Sequence, residues 1–445
     1  MGLARAGFSV RPIRDDTLDC QWMSTRVRGG KYVVQGGVVL RGSVVISGAK
    51  NHALAAMCGA LLTDEDVILE NVPDISDVDS LGALLQSLGA EVGRLPNGSL
   101  RLNCGNVSMF EAPTELISEN RASFQVMGPL LARHGYAASA PPGGDVIGQR
   151  PIDVHLSGFE EMGAVVTRDG ERFVARAPQG LRGTRVFMDY PSVSGTQNVM
   201  MAAVLAKGRT TIVNAATEPE VQELANLLNA MGARVSGIGS QMLDIDGVDQ
   251  LHGTTSRIMP DRIETGTFAI AAVMTGGDVT IKDAPTGVMD ALLNKLRGAG
   301  AQIAEGEGEL RVTREGPIRS ISFQALPYPG LATDLHAPMA ALLTQANGVS
   351  IIHERVFDNR MLYVSELRKM GAEIVSTGSS AIVSGPTPLH GTRVRALDVR
   401  AGAAVLLAAL VAQGTTIIDD VYHLDRGYER LTEKLHGLGV EVERN

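Results

Sequence analysis

The stretch GSVVISGAKNHALAAMCGALLTDEDVILENVPDISDVDSLGALLQSLGAEV, residues 42–92, sets the pattern for the whole chain. It opens with a β-rich run at 44–46 and turns at Ser47-Gly48-Ala49. An Ala/Leu-rich helix is predicted at about 51–62, and a strand at 67–69. A second helix is predicted to open at Asp77-Val78-Asp79-Ser80 and to end at Leu88-Gly89-Ala90, before a third strand begins at Glu91-Val92. Asp or Ser before a helix and Gly after one are capping signals. Lys50 stands where the first strand meets the first helix. Free N–H groups and the positive dipole end favour anions at such a turn, and a lysine there adds a full charge.

The unit recurs. Gly89-Ala90, Gly163-Ala164, Gly232-Ala233, Gly300-Ala301, Gly371-Ala372 and Gly439-Val440 read as equivalent helix ends, roughly 70 residues apart. The clearest later copies start at Leu181-Arg182-Gly183 and Leu389-His390-Gly391. Each runs from a strand through an Ala-rich helix to Thr-Thr-Ile-Val or Thr-Thr-Ile-Ile and then to an amphipathic helix. The second copy is interrupted by a Gly/Pro-rich insertion at 141–151. Such a repeat predicts alternating helices and strands, each unit needing neighbours to cover its apolar helix.

A chain of 445 residues is long for one core and predicts two domains of about 200 residues, three units in each. A net charge of −9 excludes a general nucleic-acid binder, which needs a basic footprint. Any anionic ligand must therefore be drawn by a local group of Lys and Arg. Cys20, Cys58 and Cys104 have neither metal nor disulfide spacing, which suits a reducing cytoplasm. No apolar run is long enough to span a bilayer. Residues 1–30 are polar, carry Arg5, Arg11, Arg14 and Arg26, and lack a secretory apolar core. They are expected to be a disordered extension, with Met23 as an alternative start.

The insertion places Asp145 among glycines, ahead of Arg150-Pro151-Ile152-Asp153-Val154-His155. Mobile Gly-rich loops act as lids that exclude water. An acid at a lid tip is desolvated on closure, which raises its pKa and makes it a proton donor. Arg121, Arg262, Arg400 and Arg426 fall at unit joints rather than on helix faces. Guanidinium forks suit phosphates and carboxylates, so two facing domains would gather them around a small polyanion.

These residues carry a resemblance. Ser47-Gly48-Ala49-Lys50-Asn51, Arg121-Ala122-Ser123, the run from Gly148 to His155, Pro260-Asp261-Arg262-Ile263-Glu264-Thr265-Gly266, Thr333-Asp334 and Asp425-Arg426-Gly427-Tyr428-Glu429 occur in order. From about Tyr32 to its end the sequence resembles the UDP-N-acetylglucosamine 1-carboxyvinyltransferases, a family of enolpyruvyl transferases. The shikimate-pathway relatives share the fold but fit these motifs less well. The resemblance implies an α/β fold, a two-domain inside-out α/β barrel built from six βαβαββ units. One domain would span 50–257 and the other would join 31–49 to 258–445.

The implied reaction moves the enolpyruvyl group of phosphoenolpyruvate to the sugar 3′-hydroxyl by addition and elimination, releasing phosphate for peptidoglycan precursor synthesis. No metal, organic cofactor, nucleic acid or membrane partner is implied. By the resemblance, Lys50, Arg121, Arg150 and Arg426 would hold the phosphate of phosphoenolpyruvate, and Arg360 and Arg400 would hold its carboxylate or support that site. Asn51 would fix the acceptor hydroxyl and Asp334 would deprotonate it. Arg121, Arg150, Pro151, Ile152, Asp153, Val154, Ser192, Val193, Ser194 and Val356 would line the nucleotide-sugar site. Asp77, Glu218, Asp261 and Asp398 would support the charge network.

The chain departs from the family pattern at the lid, where Asp145 stands in place of the cysteine that many members carry. That cysteine is the target of fosfomycin, and a carboxylate is a poor nucleophile toward the epoxide, so resistance is expected. Ser194 replaces a usual Gly, Leu331-Ala332 a usual Phe-Pro, and Asp358 a usual Glu, while Tyr190 lies near a site where some members have a lysine. These changes touch the acceptor side and leave a second acceptor open: another nucleotide, such as UMP, in nucleoside-antibiotic synthesis.

Overall fold

The computed structural model describes residues 29–145, 147–148 and 151–445. The expectation for the N-terminal extension, and the role expected of Arg150, fall outside the described residues except for Gly29 and Gly30. The opening stretch folds as strand Arg41–Val45, helix Lys50–Gly59, strand Asp66–Glu70, helix Ser76–Ser87 and the hairpin Glu91–Arg94 with Leu100–Asn103. The first helix continues through one 3₁₀ turn, Ala60–Leu62.

The six glycines read as helix ends all lie in the left-handed region, with φ between 88° and 108°. A second repeat mark went unread. Asn71, Asn214, Asp283 and Asp420 each follow a strand of their unit and also hold positive φ, from 54° to 60°. Asn and Asp tolerate that conformation better than other side-chain-bearing residues.

The described strands form six sheets. Five share one recipe: a parallel pair, then two antiparallel neighbours. Strand Thr254–Arg257 runs parallel to Asp66–Glu70 and joins the sheet of the first unit. At the other end, Lys31–Gln35 lies between Thr415–Asp419 and Val442–Arg444. Strand Arg41–Val45 pairs with Asp278–Lys282.

The sheets lie outside and the Ala-rich helices inside. In helices Val193–Ala203, Arg262–Thr275 and Val399–Val411 nearly every side chain is buried, as expected of helices apolar on all faces. Their small side chains let the helix backbones approach closely. The buried apolar side chains fall into two clusters. One runs from Ala49 to Ile258, and the other joins Tyr32–Ile46 to Ile263–Val442. The architecture is the two-bodied inside-out α/β barrel that the resemblance implied, built from the alternating units that the repeat predicted.

The chain crosses between the clusters twice, and the crossings run side by side. Ala49 N–H donates to the Met259 carbonyl at 2.7 Å, and Asp261 N–H to the Ser47 carbonyl at 2.9 Å. A Cβ on Gly48 would lie 1.8 Å from the Asn71 carbonyl oxygen, so only glycine fits there.

Candidate active site

Helix starts from both halves face one cavity of about 600 Å³. Lys50 is the first residue of helix Lys50–Gly59, and Asn51 the second. Ser192 caps helix Val193–Ala203 by accepting from Gly195 N–H at 3.1 Å. On the other half, Asp261 caps helix Arg262–Thr275, and Asp398 caps the helix that carries Arg400. These two caps stand behind the cavity wall, with Asp261 and Asp398 buried. Asp261 also receives the Lys50 N–H at 3.3 Å.

The cationic groups gather as two sets. In the first, Asp77 bridges Lys50 and Arg426. Its carboxylate lies 2.5 Å from Lys50 Nζ and 2.9 Å from Arg426 Nε. Asp77 was expected to help open its helix and to support the charge network. The helix begins one residue earlier, at Ser76 after Ile75 without a side-chain cap, and the Asp77 carboxylate, in its first turn, faces the two cations. Two full charges at hydrogen-bond distance outweigh one exposed backbone N–H. Arg426 also reaches Asp145, in the segment expected to act as a lid, at 2.5 Å. Burial pushes the Arg426 pKa down, but Asp77 and Asp145 more than reverse this, so it is raised.

In the second set, Asp334 sits between Arg360 at 2.8 Å and Arg400 at 2.9 Å. Burial pushes its carboxyl pKa up, yet Arg400 and Arg360 hold it far below the usual carboxylate range. The two arginines expected to hold a substrate carboxylate thus grip a protein carboxylate.

Of the expected residues, Lys50, Asn51, Asp77, Arg121, Asp145, Pro151, Ser192, Val193, Ser194, Glu218, Asp334, Val356, Arg360, Arg400 and Arg426 line the cavity. Ile152, Asp153 and Val154 do not. Ile152 packs on the first core, and Val154 is buried against Gly195. Asp153 is exposed and accepts from the Tyr190 hydroxyl at 3.2 Å. Ile152 is the N-cap and Asp153 and Val154 the first residues of helix Asp153–Glu161; of this run, Pro151 is the residue that lines the cavity. Arg121 donates to the Pro151 carbonyl at 3.1 Å.

Reading the sequence missed several wall residues, including Gln125, Gln197, Tyr328 and Phe357. Gln125 follows Arg121 by four positions, a spacing that could have placed both on one face. Tyr328 had no such signal. Its backbone N–H donates to Glu218 at 3.2 Å and its carbonyl accepts from Thr217 at 2.9 Å, joining the two halves. Burial raises the pKa of Glu218. Arg262, at another joint, forks onto the buried Glu220 across the same boundary at 2.9 and 3.2 Å.

Two facing bodies of repeated units, with cations from both around one cavity, define the enolpyruvyl transferase class. The structure matches that of the enolpyruvyl transferase NikO from Streptomyces tendae with a TM-score of 0.85 at 24% identity, over 94% of this chain and 99% of that one. It matches EPSP synthase from Acinetobacter baumannii with a TM-score of 0.72 at 18% identity, over 94% and 100%. At such identities these likenesses concern the fold alone.

The family model for EPSP synthase (3-phosphoshikimate 1-carboxyvinyltransferase) matches residues 34–435. A UDP-N-acetylglucosamine 1-carboxyvinyltransferase 2 from Carboxydothermus hydrogenoformans is 47% identical over 416 residues, covering 93% of this chain and 99% of the relative. A UDP-N-acetylglucosamine 1-carboxyvinyltransferase from Koribacter versatilis is 47% identical over 418 residues, covering 93% and 96%. The chain belongs to the enolpyruvyl transferase family and is an enzyme of the transferase class. Among the described residues no helix is long and apolar enough to cross a membrane.

Proposed function

We propose that this protein transfers the enolpyruvyl group of phosphoenolpyruvate to the 3′-hydroxyl of UDP-N-acetylglucosamine, releasing phosphate. The observation that carries this reading is the pair of cation sets, Lys50 with Arg426 and Arg360 with Arg400, lining one cavity. The first set suits the phosphate and the second the carboxylate of phosphoenolpyruvate, with Arg121 nearby. Asn51, Ser192, Val193, Ser194 and Val356 leave a wall for the nucleotide sugar.

In the addition step, Asp334 takes the proton of the acceptor hydroxyl while its oxygen bonds to C2 of phosphoenolpyruvate. Asp145 gives a proton to C3, and the double bond becomes a single bond. In the elimination, a proton passes from C3 to the Asp145 carboxylate left by the addition and the C2–O bond to phosphate breaks, restoring the methylene. Phosphate binding at Lys50 and Arg426 would release Asp145 from its ion pair and place a negative charge beside it. A neighbouring like charge favours the protonated acid that donation requires. The product class places the protein in cytoplasmic peptidoglycan precursor synthesis.

A simple nucleotide such as UMP is the less favoured acceptor. The curated relatives at 45–47% identity carry UDP-N-acetylglucosamine in their names. Phosphate release from phosphoenolpyruvate, measured with UDP-N-acetylglucosamine, with UMP and with neither, tests the reading. Release with UDP-N-acetylglucosamine is expected, and release with UMP alone would overturn it.

A further inference from the structure

Behind Asp334 lies a buried network that the proposed chemistry does not use. The Glu354 carboxylate, at the end of strand Ala346–Glu354, is 2% exposed and accepts four hydrogen bonds. Thr333 Oγ1 and His336 Nδ1 each approach its Oε2 at 2.8 Å. The backbone N–H groups of Val356 and Phe357 donate to its Oε1 at 2.8 and 3.3 Å. His336 Nε2 in turn meets the Tyr363 hydroxyl at 2.8 Å.

The direction of these bonds follows from the chemistry of the groups. A carboxylate only accepts, so His336 carries its proton on Nδ1. Its Nε2 is then an acceptor, and Tyr363 donates. Burial lowers the pKa of His336, which favours the neutral ring, while the donors around Glu354 hold it ionised despite burial.

The network reaches the cavity by two routes. Thr333 precedes Asp334 in the turn Thr333–Leu335. Val356 and Phe357 line the same cavity and lead to Arg360, which grips Asp334. Arg360 and Arg400 set the charge of Asp334, but neither holds its backbone. We propose that Glu354 is a positioning residue. It ties the Asp334 turn to the Val356–Phe357 wall, so that the base meets the acceptor hydroxyl at reacting distance.

This rests on the proposed reaction, and its test keeps the two apart. The paired substitutions Thr333→Val and Thr333→Ser remove and restore the hydroxyl donor. Glu354→Asp keeps the charge but is one methylene too short to serve both segments. Misplacing a reacting group by about 1 Å costs up to about a hundredfold. Thr333→Val and Glu354→Asp should each lower kcat at least about tenfold. KM for both substrates should stay within about twofold, and Thr333→Ser should turn over like the unaltered protein. Full kcat in Thr333→Val, equal loss in Thr333→Ser, or a loss carried by KM would overturn the proposal. Turnover is measured with whichever acceptor supports phosphate release. A wrong acceptor therefore defeats the functional reading and leaves the comparison between variants intact.

Discussion

Asp145 and Arg426, 281 positions later in the chain, form an ion pair at 2.5 Å in the cavity. Asp145 thus occupies a cation proposed to hold the phosphate of phosphoenolpyruvate. The chain closes further over this point through the Asn359 N–H, which donates to the Ile147 carbonyl at 3.1 Å.

Asp145→Asn keeps the shape and removes both the proton and the charge. Its kcat should fall by about 10²–10⁴-fold, the usual worth of a positioned acid. KM for phosphoenolpyruvate should not rise, because Arg426 is freed. Fosfomycin should leave the unaltered protein without a covalent adduct and should label Asp145→Cys, as read by intact mass. A rapid, time-dependent adduct on Asp145 would contradict this.

Asp77 compensates two nearly buried cations, with Lys50 11% and Arg426 15% exposed at their side chains. Removing one partner of such a group leaves charge unpaired, at a cost of about 3 kcal/mol. Asp77→Asn should therefore lower the melting temperature. Added inorganic phosphate should raise it more in the variant than in the unaltered protein, because the anion replaces the lost carboxylate. Equal shifts in the two proteins, measured by calorimetry, would show that the anion does not bind between Lys50 and Arg426.

Two buried imidazoles predict acid sensitivity. Burial lowers His52 to about 4 and His155 to about 3, from an ordinary value near 6.5. The folded form resists protonation that the unfolded chain accepts. The stability they contribute is full above about pH 6.5 and is lost as pH falls toward these folded values. Each contributes up to about 1.4 kcal/mol per pH unit within that window. Asn198 donates to His155 Nδ1 at 2.9 Å, which leaves Nε2–H for Ser194 Oγ at 3.2 Å on the cavity wall. His155→Gln should flatten the fall of the melting temperature between pH 6.5 and 4.5. An unchanged slope would remove His155 from the acid response.

Much of the site was legible because its residues stand at helix starts. Lys50, Arg121 and Arg400 could be placed at unit joints from local pattern, and all three line the cavity. Ile152 and Val154 look equivalent to Pro151 in sequence. Which side of a helix start faces the opening depends on what packs beneath it, and that comes from elsewhere in the chain. Asp77 was read as part of a helix start and, through the resemblance, as support for the charge network; it lies in the first helical turn, and only the fold shows that its partners are Lys50 and Arg426.

By itself the sequence determined the repeat: six helix ends with glycine, Ala-rich helices that must be buried, and strands between them. Those features act over a few residues, through backbone conformation and apolar periodicity, so no partner is needed to read them. Only the tertiary structure decided the pairings, such as Asp77 with Arg426 across 349 positions, and the Glu354 network behind Asp334. Ion pairs and buried hydrogen bonds form where folding brings groups within about 3 Å, and chain spacing carries no record of that distance.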